Sequence, residues 1–262
     1  MSRFPTLLKF AAAAAIGATV AGGATALAGV NGTAGSGGTD AATAAHGREP
    51  ANIGQVKNDV KAYYGDYLDA SGKHHYSDSS RFVADTKRAV ADAKQYLTRQ
   101  LGKVKNPAIV LDVDDTSEVT FGWEADNDFG FDPVKQQQAI DEGTFVANKP
   151  VLELANWAAQ HGVKIYFLTG RSEPQGPQSL KNLADEGYPA PAGAFFKPTG
   201  TAPDYLPCGL SCTTIQYKSG TRAHIEAQGA DLVLNLGDQY SDLEGGYADH
   251  PVKLPNPMYY LP

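Results

Sequence analysis

Four short clusters of polar residues, three of them at the ends of hydrophobic runs, carry the chemistry this chain could perform. The most pointed is the first. Ile109-Val110-Leu111 reads as a buried strand and runs straight into Asp112-Val113-Asp114-Asp115-Thr116. Packed carboxylates repel one another: two unit charges about 4 Å apart cost ~4 kcal/mol at an effective dielectric of ~20. A bound cation removes that cost, and in open α/β sheets ligands sit beyond the carboxyl ends of the strands. Asp112 and Asp114 are therefore candidates for a metal-dependent catalytic pair. Asp and Thr also favour solvated turns and helix N-caps, so this cluster alone leaves both readings open.

Three further clusters narrow the choice. The run Val163-Lys164-Ile165-Tyr166-Phe167-Leu168 leads into Thr169-Gly170-Arg171. The run Asp231-Leu232-Val233-Leu234-Asn235-Leu236 leads into Gly237-Asp238, with Asp242 four residues beyond Asp238. Lys218 stands just before a helix expected at about 219–228, which feeds that last strand. If the strands are parallel, all these ends meet at one sheet edge. Together they offer metal-binding carboxylates, a hydroxyl, a glycine amide and a lysine, a set suited to a phosphate ester beside a divalent cation.

The elements that must position these groups follow from periodicity. Phe82, Val83, Ala89, Val90, Ala93, Tyr96, Leu97 and Leu101 recur at three- and four-residue spacing, predicting a core-packing helix at about 78–101. A shorter helix is expected within 51–66. Strands are expected at 108–113, 163–168, near 194–196 and at 231–236. Helices are expected at 150–161, with Pro150 in the first turn and Gly162 just past the end, and at about 174–186. Strands alternating with helices imply an α/β fold with a doubly wound parallel sheet. A polar, aromatic stretch at 117–149 and a Pro/Gly-rich insertion at 198–212 interrupt the pattern.

Composition sets outer limits. The chain has 262 residues, 42% of them hydrophobic, enough for one substantial domain. Its formal charge of −7, with no basic cluster, argues against a surface for duplex nucleic acid. Residues 1–28 read as a signal peptide: Arg3 and Lys9, an apolar Phe10-to-Ala21 stretch, then Ala26-Leu27-Ala28 as a cleavage site. An uncleaved anchor is the alternative, weakened by the shortness and the Gly/Ala content of the apolar stretch. Removal of 1–28 leaves 20 basic against 29 acidic residues and no stable membrane span. Residues 29–50, rich in Gly, Ala and Thr, read as a flexible linker to a domain at 51–262. The only two cysteines, Cys208 and Cys212, are too few for zinc, and in an exported protein they are expected to form a local disulfide. The six histidines include no Arg-His-Gly run, and no Gly-rich dinucleotide or P-loop motif occurs.

The four clusters, in order, resemble those of the haloacid dehalogenase-like (HAD) superfamily of aspartate-nucleophile phosphatases. The matching pieces are Val110-Leu111-Asp112-Val113-Asp114-Asp115-Thr116, Phe167-Leu168-Thr169-Gly170-Arg171, Tyr217-Lys218-Ser219 and Gly237-Asp238-Gln239-Tyr240-Ser241-Asp242-Leu243. More narrowly, with the tail Lys253-Leu254-Pro255-Asn256-Pro257-Met258-Tyr259-Tyr260, the chain resembles subfamily IIIB, the secreted class B/C acid phosphatases that include plant acid phosphatases and vegetative storage proteins. The resemblance implies a HAD-like Rossmannoid sheet with helices on both faces and a small cap at 117–149. It also implies an exported hydrolase of small-molecule phosphate monoesters.

Roles follow residue by residue from the resemblance. Asp112 is the implied nucleophile, forming an aspartyl-phosphate. Asp114 is the implied general acid and then base. The implied metal is Mg²⁺, held by the Asp112 side chain, the Asp114 carbonyl and the Asp238 side chain, with Asp242 outside the ligands orienting waters or Lys218. Thr169 and the Gly170 amide are expected on phosphate oxygens, and Lys218 on the charge of the nucleophile and phosphoryl group. Arg171 is expected either to reach the phosphate or to brace its loop. Asp115 is expected to face solvent or a backbone amide. The cap aromatics Phe121, Trp123, Phe129, Phe131 and Phe145 are expected chiefly to pack the cap on the core, though rings beside a phosphate site could also stack on a leaving group. Ser117-Glu118-Val119-Thr120 departs from the branch pattern and leaves substrate preference open. Two alternatives stay open: a phosphotransferase using the same chemistry, and a non-catalytic storage or binding protein on the same scaffold.

Overall fold

The computed structural model describes residues 50–262; the expected signal peptide, and the expected linker as far as residue 49, lie outside the described residues. The chain opens with α1 (Ile53–Tyr64), capped by the Asn52 side chain, and a small hairpin of β1 (Tyr67–Leu68) and β2 (His74–His75). α2 (Arg81–Gln100) starts at Ser80, whose hydroxyl accepts the Val83 N–H, and it buries the periodic face read from the sequence.

β3 (Pro107–Leu111) then enters the core and delivers the first acidic cluster. After it comes the insertion, whose base is a pairing of β4 (Glu118–Val119) with β5 (Val146–Ala147). Between them lie α3 (Phe121–Asp126) and α4 (Pro133–Asp141), the latter capped by Asp132. α5 (Lys149–Gln160), β6 (Lys164–Ser172), α6 (Gly176–Asp185) and β7 (Gly193–Lys197) follow. α7 (Thr214–Ala227), β8 (Asp231–Gly237), the short α8 (Tyr240–Leu243) and β9 (His250–Lys253) complete the described elements.

The five long strands form one parallel sheet in the order β7-β6-β3-β8-β9. Alternation along β3 assigns its two faces. Ile109 and Leu111 pack with α2 and α5, while Ala108 and Val110 pack with Tyr217 and Ile225 of α7. Helices thus cover both faces, the doubly wound arrangement expected from the sequence. The strand nearest the middle, β3, carries the acidic cluster to the edge where the order of connections reverses.

Three local expectations need correction. β6 continues through Thr169-Gly170-Arg171 to Ser172, with its register against β7 broken between Leu168 and Ser172. α7 begins at Thr214, because Thr213 and Gln216 form a reciprocal capping box, and Lys218 therefore sits inside the helix. β9 lies where no strand was expected. Cys208 and Cys212 are joined in a disulfide in the Pro/Gly-rich insertion. Among the described residues, no helix is long and apolar enough to cross a membrane.

Candidate active site

The loop after β3 is wound tightly by its own sequence. The Ser117 and Glu118 N–H groups both donate to the Val113 carbonyl (2.9 and 2.8 Å), and the Ser117 hydroxyl donates to the Asp112 carbonyl (2.6 Å). Asp115 holds a left-handed backbone (φ 52°), which Asp tolerates better than bulkier residues do. Its carboxylate is fully buried and accepts the Thr120 N–H, the Thr120 hydroxyl (2.5 Å) and the Tyr259 hydroxyl (2.8 Å). Burial pushes it up to about 7. Asp115 therefore ties the loop to the segment after β9; the structure does not leave it facing solvent.

Asp112, Asp238 and Asp242 meet at the sheet edge. Each offers a carboxylate oxygen within 4.8 Å of the others, and all three residues are buried. Asp238 directly follows β8, and its Oδ2 accepts from Gln239 Nε2 and Asn256 Nδ2, both at 2.7 Å. Asp242 comes this close because of Gly237: a Cβ there would fall 2.4 Å from the Asp242 Cβ. Asp242 was expected outside the ligand group, yet its carboxylate stands with the other two.

Lys218 links two of these acids from α7. Its Nζ donates to Asp112 Oδ1 (2.5 Å) and the Leu168 carbonyl (2.7 Å), and lies 2.9 Å from Asp242 Oδ1. Burial disfavours its charge, but the two carboxylates outweigh that and hold its pKa above the ordinary lysine value. One lysine cannot balance three acids. Burial, reinforced by Asp242 and Asp115, pushes Asp238 up to about 7, and burial likewise raises Asp112. An all-oxygen donor set with uncompensated negative charge suits a hard divalent cation, so the residues present fit a metal.

Arg171 behaves differently from a free phosphate-binding arginine. Its Nε and Nη2 grip Asp114, Nη2 also donates to Glu118 Oε2 (2.6 Å), and Nη1 donates to the Ser179 hydroxyl (3.0 Å). The guanidinium is committed to the loop, the bracing role of the two left open for it by the sequence, and the residue also lines the same cavity as Gly170. Thr169 is fully buried, and its hydroxyl oxygen accepts the Arg171 N–H (3.0 Å). Gly170 lies at the surface of a cavity of about 480 Å³ that Asp112, Asp114, Lys218, Asp238 and Asp242 also line. Trp123, Phe129, Phe131 and Phe145 of the insertion wall it together with Tyr259 and Tyr260. Phe121 takes no part: it stacks on Tyr64 in the core, ring centroids 4.3 Å apart. A larger cavity, about 1060 Å³, shares Trp123 and Phe145 but none of the acidic cluster, so size is not what marks the chemistry here.

The match to known proteins agrees with this geometry. The HAD superfamily, subfamily IIIB (acid phosphatase) matches residues 33–262. The chain belongs to that subfamily. Membership supports phosphomonoester hydrolysis as the class of activity. The chain is 33% identical over 156 residues to acid phosphatase 1 of Solanum lycopersicum, a match covering 58% of each chain. It is 26% identical over 218 residues to vegetative storage protein 1 of Arabidopsis thaliana, covering 80% of this chain and 74% of that protein. In fold it is similar to the class C acid phosphatase from Bacillus anthracis, with a TM-score of 0.60 at 19% identity, covering 79% and 86% of the two chains.

Sequence reasoning passed over Glu118, Gln239, Asn256 and Tyr259 as site residues. Glu118 stood in a run noted only as a departure from the branch pattern. Asn256 and Tyr259 stood in the matching tail, which signalled relevance without a role.

Proposed function

We propose that this chain is an exported, Mg²⁺-dependent acid phosphatase that hydrolyses phosphate monoesters through an aspartyl-phosphate on Asp112. The observation that carries this is the buried Asp112–Asp238–Asp242 cluster with Lys218 between two of its members. A divalent cation held by Asp112, Asp238 and the Asp114 carbonyl would supply positive charge to the phosphoryl oxygens.

The chain's own residues do the rest. Lys218 orients the Asp112 carboxylate and neutralises charge as the transferring group approaches. Asp112 attacks phosphorus, and its new O–P bond forms as the ester P–O bond breaks. Asp114, whose side chain is 22% exposed in the cavity, gives its proton to the leaving oxygen. It then takes a proton from the water that attacks the acyl phosphate, which releases Asp112 and inorganic phosphate. The Gly170 amide, at the cavity surface, would donate to phosphate oxygens. Arg171 and Glu118 position Asp114.

Export is supported by the character of residues 1–28 and by the Cys208–Cys212 disulfide, which favours an oxidising compartment. Catalysis is preferred over storage because the nucleophile, its lysine and the acid are assembled in one cavity. The test is hydrolysis of an aryl phosphate by the purified chain, with chelator and with added Mg²⁺. Activity lost on chelation and restored by Mg²⁺ supports the proposal; activity indifferent to chelation contradicts it. An added alcohol acceptor, with product analysis, separates hydrolysis from phosphotransfer.

A further inference from the structure

The segment after β9 returns to the site instead of leaving it. Leu254 is fully buried and donates its N–H to the Gly237 carbonyl (2.9 Å), which brings the chain alongside Asp238. Asn256 then donates from Nδ2 to Asp238 Oδ2 at 2.7 Å. That amide is oriented by its own turn: Asn256 Oδ1 accepts the Met258 N–H at 2.8 Å, so the NH₂ group must face Asp238. Gln239 Nε2 donates to the same Asp238 oxygen at 2.7 Å, and Gln239 Oε1 in turn accepts the Leu261 N–H at 3.1 Å. Two donors therefore converge on Oδ2, while Oδ1 receives the Thr116 hydroxyl at the longer distance of 3.3 Å.

The same segment is fastened at two further points. The Tyr259 hydroxyl donates to the buried Asp115, next in sequence to Asp114. Met258 packs against the cluster that contains Val60, Tyr64, Phe82 and Phe121. A segment needed only to cover apolar surface has no use for a fixed amide aimed at a buried carboxylate.

We infer that residues 254–261 are a working part of the cation site, and that Asn256 is a positioning residue that fixes Asp238 for a divalent cation. The inference rests on the proposed function in one respect, that Asp112 and Asp238 hold such a cation. Hydrogen-bonded partners of ligating groups commonly contribute roughly 10- to 100-fold in metal affinity. Tyr259 acts at one remove, by holding the segment that carries Asn256.

The test compares the full chain with Asn256→Ala and Tyr259→Phe. Direct titrations with Mn²⁺, followed by electron paramagnetic resonance, and with Mg²⁺, followed by calorimetry, read affinity without turnover. Asn256→Ala is expected to weaken both ions by about tenfold or more, and Tyr259→Phe by a smaller factor. Saturating Mg²⁺ is expected to restore most of the rate of aryl phosphate hydrolysis, a split that a merely structural role does not produce. Tyr259→Phe removes one hydroxyl and keeps the ring, so it carries the test if Asn256→Ala does not fold. Unchanged affinity in the folded variants, beside an unaltered chain that binds the ions, overturns the inference alone. An unaltered chain that binds neither ion overturns the inference and the metal-dependent reading together.

Discussion

Two buried cations stand at one sheet edge, each between two carboxylates, and they are built from different parts of the chain. Lys218 joins Asp112 to Asp242, and all three groups come from the sheet and the helices packed directly on it. Arg171 joins Asp114 to Glu118, and Glu118 lies in β4 at the base of the insertion. The first cluster is buried among the cavity-lining residues; in the second, Asp114 is 22% exposed on its side chain while Glu118 is fully buried. The proposed nucleophile is thus held by the sheet and the helices packed on it. The proposed acid is held by the part that also walls the cavity. Phe145, from the same insertion, lies with its ring centroid 5.4 Å from the Arg171 guanidinium. On the proposed mechanism, changes in the insertion would reach proton transfer at Asp114 while leaving the Lys218–Asp112 pair in place.

Lys218→Met removes the cation from the first cluster only. Turnover of an aryl phosphate is expected to fall by about 10²- to 10³-fold, the scale of losing one charge-stabilising group. Mg²⁺ affinity measured by calorimetry should be retained or increased, since the variant adds net negative charge beside the cation site. Weaker Mg²⁺ binding would blur the contrast between the clusters.

Arg171→Met strikes the second cluster and should act on stability as well as rate. Stripping one partner from a buried ion pair costs about 3–5 kcal/mol, because Glu118 is left buried and unpaired. Denaturant unfolding checks that figure. The rate at saturating Mg²⁺ should fall by less than in Lys218→Met, with Mg²⁺ affinity little changed. A larger rate loss than Lys218→Met would reverse the ranking of the two cations.

Glu118 also gives the second cluster a pH signature. Burial pushes both Glu118 and Glu124 up from 4.5 to about 7 in the folded chain. Between those values the folded chain binds more protons than the unfolded one, so stability falls as pH rises. The metal-free chain should melt several degrees lower at about pH 7.5 than at about pH 5, and Glu118→Gln should flatten that slope. A Tm that rises over this range contradicts the burial of these acids.

The smallest effect belongs outside both clusters. Replacing Cys208 and Cys212 together by Ser opens a five-residue loop and should cost about 2 kcal/mol or less, with the rate unchanged. A loss of rate would tie the 198–212 insertion to the site.

The legibility of these features follows from how local their causes are. β3, β6 and β8 are plain in the sequence because a buried parallel strand needs an unbroken apolar run. The acids Asp112 and Asp238 are plain because each comes at the end of such a run, and Asp242 stands only four residues beyond Asp238. The start of α7 is hidden, since the Thr213–Gln216 capping box comes straight after a Pro/Gly-rich stretch that reads as loop. β9 is hidden because four residues with a proline among them carry almost no period. Glu118 meets Arg171 across 53 positions, Asn256 meets Asp238 across 18 and Tyr259 meets Asp115 across 144. No spacing rule links such pairs; only the folded sheet brings them together. Arg171 shows the same limit, for its two possible roles differ only in which partners surround it.

The most direct test of Asp112 as nucleophile is acid-quenched turnover of a radiolabelled phosphate monoester by the Mg²⁺-loaded chain, followed by peptide mapping. Label bound covalently to the peptide containing Asp112, and absent from Asp112→Asn along with turnover, is the predicted result. Turnover that survives Asp112→Asn, or label on a peptide elsewhere in the chain, would contradict it.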